Sequence, residues 1–299
     1  MTNVNSSNTA TSMADKRKNR SRTSLCFPNA KVNLGLQVRN KREDGFHNIE
    51  SVFVPIGWTD TLELEELREG ESNALRSHGL NIPGQESENL ILKAHTLLSR
   101  AKDIAPVQFH LIKAIPMGAG LGGGSADGAF AINALNTHFE LGLSISEREA
   151  FAAQLGSDCP FFIRNTPAHV TGRGECIHPI DLNLKGWWMA ILHPGVHIPT
   201  PAAFGWVKPN DQRPSLSTLK GSSPQEWKGV LQNDFTAPVS ERFPEVAQAL
   251  NVLQSNGAVF ADMSGSGSAV FGCFPQEPDP TWLRGLPQKW STWSGPMAP

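Results

Sequence analysis

Two stretches of this chain are built mainly from the smallest residues, and both suit an anion. Pro116 to Gly128, PMGAGLGGGSADG, carries five glycines between positions 118 and 124. A glycine backbone accepts positive φ and lets a ligand approach with no Cβ in the way. The free N–H groups of such a loop, and of a helix opening behind it, point one way and make a phosphate site. The run is not a Walker A loop, because no Gly-Lys-Ser/Thr follows it; Ser125 would face the phosphates or a Mg²⁺ ion. A purely structural turn is the competing reading. A second loop, Met263-Ser264-Gly265-Ser266-Gly267-Ser268, reads alone as a tight turn, but two such loops in one chain favour a shared phosphate site.

Two charged residues offer the complementary chemistry. Asp158, in QLGSDCPFF, is either an N-cap with Pro160 in the first helical turn or a general base for a substrate hydroxyl in phosphoryl transfer, and the roles are compatible. Lys31 interrupts an apolar strand pattern and shares a face with Asn33. The ordinary reading is a solvent-facing lysine. If it meets Asp158, it orients the pair and stabilises the hydroxyl or the transferring phosphoryl. Phe46, His47 and Phe204, taken singly, read as core or surface residues.

The elements that must hold these residues follow from periodicity. Ala30, Val32, Leu34, Leu36 and Val38 alternate with polar or small residues, which predicts a half-buried strand; Arg42 to Gly45 supplies a turn, and Ile49 to Ile56 a second strand. Leu90, Ala94, Leu97 and Ala101 predict an amphipathic helix opening near Asn89, and Val107, Phe109 and Leu111 a strand running into the first loop. Ala129, Ile132, Leu135 and Phe139 predict a helix behind that loop. The run Trp187 to Leu192 ends at His193-Pro194-Gly195, and a Pro-rich stretch continues to about residue 224, so a domain change is placed near 190. Beyond it come a helix over 244–254, a strand over 269–274 and a tail after about 275 for which the sequence makes no prediction.

Composition narrows the class. At 299 residues the chain is long enough for two ordinary domains or one large one, and the change near 190 favours two, 24–190 and 191–299. No stretch approaches the ~20 apolar residues of a membrane span, and a net charge of -2 gives no general attraction to nucleic acid or anionic lipid. The expectation is a cytoplasmic protein acting on a small molecule, with no nucleic-acid or membrane partner. Cys26, Cys159, Cys176 and Cys273 lack zinc-ligand spacing and read as buried, idle thiols of a reducing compartment. Residues 1–23, rich in Ser, Thr and Asn with a basic cluster at 16–22, read as a disordered extension; an organelle transit peptide is the sharper alternative.

Three segments in order, PNAKVNLGLQV at 28–38, PMGAGLGGGSADG at 116–128 and DMSGSGSAVFGCF at 262–274, resemble the motifs of the GHMP kinases. Four more, KREDGFHNIESVF at 41–53, SENLILKAH at 87–95, LGSDCPFF at 155–162 and HPGVHIPTP at 193–201, resemble those GHMP kinases that act on diphosphocytidyl-methylerythritol. The resemblance implies a two-domain α+β fold with ATP, its Mg²⁺ and the acceptor in the cleft between domains. By position it gives Asp158 as catalytic base and Lys31 as its partner. Asn89, Pro116, Gly118, Gly120, Gly122, Gly123, Gly124 and Ser125 fall to the nucleotide, with Ser125 also on the metal. The acceptor falls to Asn33, Phe46, His47, Thr200, Pro201, Phe204, Gly265 and Gly267. The sequence departs from a familiar pattern at Phe46, where tyrosine is usual, and at Ser266, where threonine is common. GHMP kinases of mevalonate, homoserine or a sugar, and a nucleotide-binding regulator on the same scaffold, are the rival readings.

Overall fold

The computed structural model describes residues 23–297, so the extension read at the N-terminus lies, apart from Thr23, outside the described residues. Thr23 itself opens a strand, β1 (Thr23–Cys26). The two predicted strands at 30–38 and 49–56 form a longer hairpin, β2 (Asn29–Lys41) and β3 (His47–Thr59), joined through a turn in which the Arg42 N–H reaches the Phe46 carbonyl at 2.8 Å. Next come β4 (Thr61–Glu66), β5 (Ala74–Gly79), α1 (Leu90–Ser99), β6 (Val107–Lys113), α2 (Gly123–His138), α3 (Ile145–Leu155) and α4 (Cys159–Arg164). Then follow β7 (Ala168–Gly172), β8 (Cys176–Pro179), β9 (Trp188–His193), α5 (Thr200–Gly205), α6 (Thr236–Arg242), α7 (Pro244–Ser255), β10 (Phe260–Met263), β11 (Val270–Phe274) and β12 (Ser291–Pro296).

The architecture is α+β. Three four-stranded sheets run β1-β4-β6-β5, β2-β3-β7-β8 and β10-β11-β9-β12. A first core joins the β1-β4-β6-β5 sheet to α1, α2 and α4 through residues such as Phe109, Ile91, Ile132 and Phe162. A second lies between β2-β3 and the last sheet, through Val32, Val54, Ile191 and Phe271, and a third packs α6 and α7 on that last sheet. Strand β2 is therefore covered on both faces, and every residue from 29 to 38 is buried. The alternation in its sequence marks two different buried environments, so the solvent-facing reading of Lys31 does not hold: the side chain is enclosed beneath the first glycine loop and α4.

The chain changes sheets in the stretch 180–187, between β8 and β9, and residue 190 lies inside β9. The tail after 275 contributes β12, which pairs antiparallel with β9 from Ser291↔His193 to Pro296↔Trp188. It covers a flank of the last sheet that its own sequence, STWSGP, with a single large apolar residue and Gly-Pro at its end, does not advertise.

Candidate active site

The glycine loop leaves β6 and enters α2 as the sequence pattern requires. Gly118, Gly120 and Gly122 take φ of 65, 80 and 72°, and Gly122 stands at the N-cap of α2 with no side chain to satisfy the first N–H groups. These donors stay available to an anion. The second loop packs directly on the first: a Cβ on Gly120 would lie 2.0 Å from the Ser264 carbonyl oxygen, and one on Gly265 3.2 Å from the Gly120 Cα. Ser264 Oγ donates to the Gly120 carbonyl at 2.8 Å, and the Ala269 N–H to that of Ala119 at 3.0 Å. The glycines at 120 and 265 are thus required by close approach of two backbones.

Lys31 and Asp158 come together at the edge of this interlock. The Lys31 N–H holds the Leu121 carbonyl at 2.9 Å, while its ammonium donates to Asn33 Oδ1 at 2.5 Å and to the Gly120 carbonyl at 3.3 Å. Asp158 Oδ2 stands 3.6 Å away, and the Phe53 ring lies beneath at 4.5 Å. Burial depresses the Lys31 pKa, and the Asp158 charge opposes that shift. Asp158 occupies the N-cap position of α4, yet its side chain caps nothing. Of the two local readings, the geometry leaves the carboxylate free for Lys31 and for the cleft.

A cleft of about 580 Å³ opens between the phosphate loop and the segment leading into α1. Asn89, Pro116, Gly118, Gly120, Gly122, Gly123, Gly124, Ser125, Asp158 and Thr200 all line it. Asn89 caps α1, accepting the Ile91 N–H at 3.0 Å. A second cleft of about 590 Å³ is lined by Phe46, His47, Ser157, Arg173, Thr200, Pro201 and Phe204. Thr200 borders both clefts, and Asp158 of the first adjoins Ser157 of the second. The Thr200 hydroxyl meets that of Ser266 at 2.9 Å, which ties α5 to the second glycine loop. Gly265 and Gly267 lie behind the clefts and line neither.

The aromatic group in the second cleft is already arranged. His47 stacks on Phe204 with ring centroids 5.0 Å apart and planes 13° from parallel, a spacing that admits no third ring between them. Phe46 remains 55% exposed and carries the Arg173 guanidinium 4.3 Å above its ring. Sequence reasoning missed Arg173, for it sits in the turn between β7 and β8 and only tertiary structure brings it to Phe46.

Under the phosphate loop the structure adds a buried charge cluster that the sequence does not reveal. The Lys113 ammonium, fully enclosed at the end of β6, is bonded to Asp60 and, at 2.7 Å, to Asp127 of α2, just past its first turn. Asp60 also accepts the N–H groups of Ala114 and Ile115 at 2.6 and 2.9 Å, so both ends of the loop are pinned to one cluster. Burial pushes the Asp127 pKa up to about 7, with Lys113 opposing the shift and Asp60 adding to it. Its Oδ1 has no partner.

Among the described residues no cluster of three or more His, Cys, Asp or Glu could hold a metal ion. Mg²⁺ commonly binds through one or two protein oxygens, substrate phosphates and water rather than in an all-protein cage. Ser125, Asp127 and Asp158 all line the first cleft, and their side-chain oxygens fit that manner of binding. The four cysteines are unpaired; burial pushes the Cys26 and Cys159 thiols up to about 12, while Cys176 is exposed, against the expectation of burial.

Models of the GHMP kinase N-terminal domain and the GHMP kinase C-terminal domain match residues 89–166 and 218–289. The 4-diphosphocytidyl-2-C-methyl-D-erythritol kinase of Bacteroides thetaiotaomicron is 43% identical over 262 residues, covering 86% of this chain and 96% of that protein. The kinase of the same name from Cytophaga hutchinsonii is 44% identical over 256 residues, covering 85% and 94%. The chain belongs to the 4-diphosphocytidyl-2-C-methyl-D-erythritol kinase family. A crystal structure of a 4-(cytidine 5'-diphospho)-2C-methyl-D-erythritol kinase superposes with a TM-score of 0.74 at 32% identity, covering 91% of this chain and 98% of that one. A mevalonate kinase superposes at 0.65 with 14% identity, a likeness of fold alone. As a member of this family the chain is an ATP-dependent small-molecule kinase.

Proposed function

We propose that this protein transfers the γ-phosphoryl of ATP to the 2-hydroxyl of 4-diphosphocytidyl-2-C-methyl-D-erythritol, giving the 2-phosphate and ADP, in the non-mevalonate route to isopentenyl diphosphate. The observation that carries this reading is the position of Asp158, which opens onto the glycine-lined cleft beside its junction with the aromatic one. ATP takes the first cleft, with its phosphates on the N–H groups of residues 118–125 and its remaining part toward Asn89. The acceptor takes the second, its pyrimidine against the aromatic group of Phe46, His47 and Phe204 and its polyol toward Thr200, Pro201 and Asn33. The clefts would lie between an N-terminal unit and a C-terminal one that meet in the stretch 180–187, ahead of β9, the second contributing the Gly265 and Gly267 loop that props the first.

In this arrangement Asp158 accepts the hydroxyl proton as the oxygen attacks in line. Lys31, fixed by Asn33 and Gly120, holds its positive charge where negative charge gathers on the transferring phosphoryl. Mg²⁺, when bound, would be held by Ser125 and would supply further charge neutralisation. A site of this kind works by position and charge, with no covalent intermediate for the protein to form. The reaction is placed in the cytoplasm as part of this proposal; among the described residues no helix is long and apolar enough to cross a membrane.

The test is ADP release by the purified protein with Mg²⁺-ATP and, in turn, diphosphocytidyl-methylerythritol, methylerythritol phosphate, mevalonate or no acceptor. Turnover with the cytidylated acceptor alone is expected. Turnover with another acceptor instead would move the substrate assignment within the GHMP kinases, and binding of ATP without any turnover would make the protein a nucleotide sensor.

A further inference from the structure

Strand β2 is interrupted between Leu34 and Leu36, where the pairing with β3 slips by one residue and Gly35 takes φ of +64°. Such a bulge re-aims the groups on either side of it. Here it presents the Gly35 carbonyl to Ser51 on β3, a fully buried residue whose Oγ donates to it at 2.6 Å. A hydroxyl has one hydrogen, so that of Ser51 is committed, and its lone pairs accept Asn33 Nδ2 at 3.0 Å. The amide of Asn33 is thereby held with its nitrogen toward Ser51 and its oxygen toward the Lys31 ammonium, at 2.5 Å. That oxygen is one of the Lys31 acceptors, with the Gly120 carbonyl and Asp158.

We propose that Ser51 is a positioning residue for phosphoryl transfer: its hydroxyl, held between the Gly35 carbonyl and the Asn33 amide, fixes where the Lys31 ammonium stands relative to Asp158. The proposal rests on the reading of Lys31 and Asp158 given above. Without the hydroxyl, the Gly35 carbonyl and the Asn33 amide nitrogen are left unpaired in a buried site, which is costly. One is an acceptor and the other a donor, and they face the same vacated position. They close on each other and draw Asn33 Oδ1 off the ammonium. Ser51 lines neither cleft, so the loss falls on the chemical step and spares the binding of either substrate.

The experiment measures kcat, both KM values and the melting temperature for Ser51→Ala, Ser51→Thr and Lys31→Ala with Mg²⁺-ATP and diphosphocytidyl-methylerythritol. Ser51→Ala is expected to lower kcat about tenfold, the factor of roughly one lost hydrogen bond, with both KM values within about twofold. Ser51→Thr keeps the hydroxyl and adds a methyl to a filled site, so it is expected to melt lower yet keep its kcat. Wild-type kcat in Ser51→Ala, or losses of kcat in both variants that simply follow melting temperature, would overturn the proposal. If Lys31→Ala turns over at the wild-type rate, the reading of the site falls and the Ser51 proposal with it. If Lys31→Ala is slow while Ser51→Ala is not, the Ser51 proposal alone fails.

Discussion

Asp158 and Lys31 each had a bland explanation in the sequence; burial removes the solvent-facing reading of Lys31, and the Asp158 side chain caps no N–H of α4. The lysine side chain is 4% exposed and the aspartate 33%, a difference that accords with the roles proposed for them, a fixed cation beside a base open to the cleft. Replacing Asp158 with Asn keeps the shape and removes the base. Turnover should fall by about 10²- to 10⁴-fold with the ATP affinity little changed; steady-state kinetics beside an equilibrium nucleotide titration would check it, and unaltered turnover would refute the base assignment. His47 carries a different expectation, since its ring is stacked on Phe204 in the second cleft. Removing it in His47→Ala should raise the KM for the cytidylated acceptor about tenfold, the worth of a stacking contact with a hydrogen bond, and leave the KM for ATP alone. Equal losses for both substrates would make His47 a structural residue.

Much of what positions these residues was legible in the pattern of elements. The strand into the glycine loop, the helix behind it, the opening of α1 at Asn89 and the helix at Pro244–Ser255 are local signals, and they appear where periodicity and capping chemistry place them. What escaped has a common cause. Burial of β2 on both faces, the Lys113 cluster, Arg173 above Phe46 and the pairing of β12 with β9 are all contacts between residues far apart in sequence, and no window of the chain contains both partners. The interlocked loops belong with them, because each reads alone as an ordinary turn. Gly120→Ala tests that interlock. The new Cβ would meet the Ser264 carbonyl at 2.0 Å on a backbone at φ +80°, so the loops must separate. The expected result is a loss of at least about 2 kcal/mol of stability, read from denaturant unfolding, together with a raised KM for ATP.

Across the whole molecule, the β2-β3-β7 sheet is bound to the segment 208–222 by one charged network. Glu50 accepts from Arg39, from His169 at 2.7 Å and from Ser215 Oγ at 2.6 Å, and the Leu216 N–H reaches it at 2.7 Å. Burial alone would raise its pKa, but the combined hydrogen bonds outweigh that and hold it at about 2, below the ordinary value of 4.5. A depressed folded pKa contributes stability that is fully present above the unfolded value and is lost as pH falls from there toward the folded one. Wild type should therefore be more stable than Glu50→Gln at pH 7, with the gap closing between about pH 4.5 and pH 2; urea midpoints at several pH values would show it, and a gap constant with pH would refute it. The joint between the two glycine loops has a consequence for motion. Because Ala119 and Gly120 of one are hydrogen-bonded to Ala269 and Ser264 of the other, the floor of the site offers no hinge. With ATP in the first cleft as proposed, nucleotide entry and product departure fall to the rim, where the segment 82–88 ahead of α1, closed by the 3₁₀ turn Glu86–Glu88, faces the glycine loop across the cleft, and the pace of turnover can be set there without disturbing the geometry beneath.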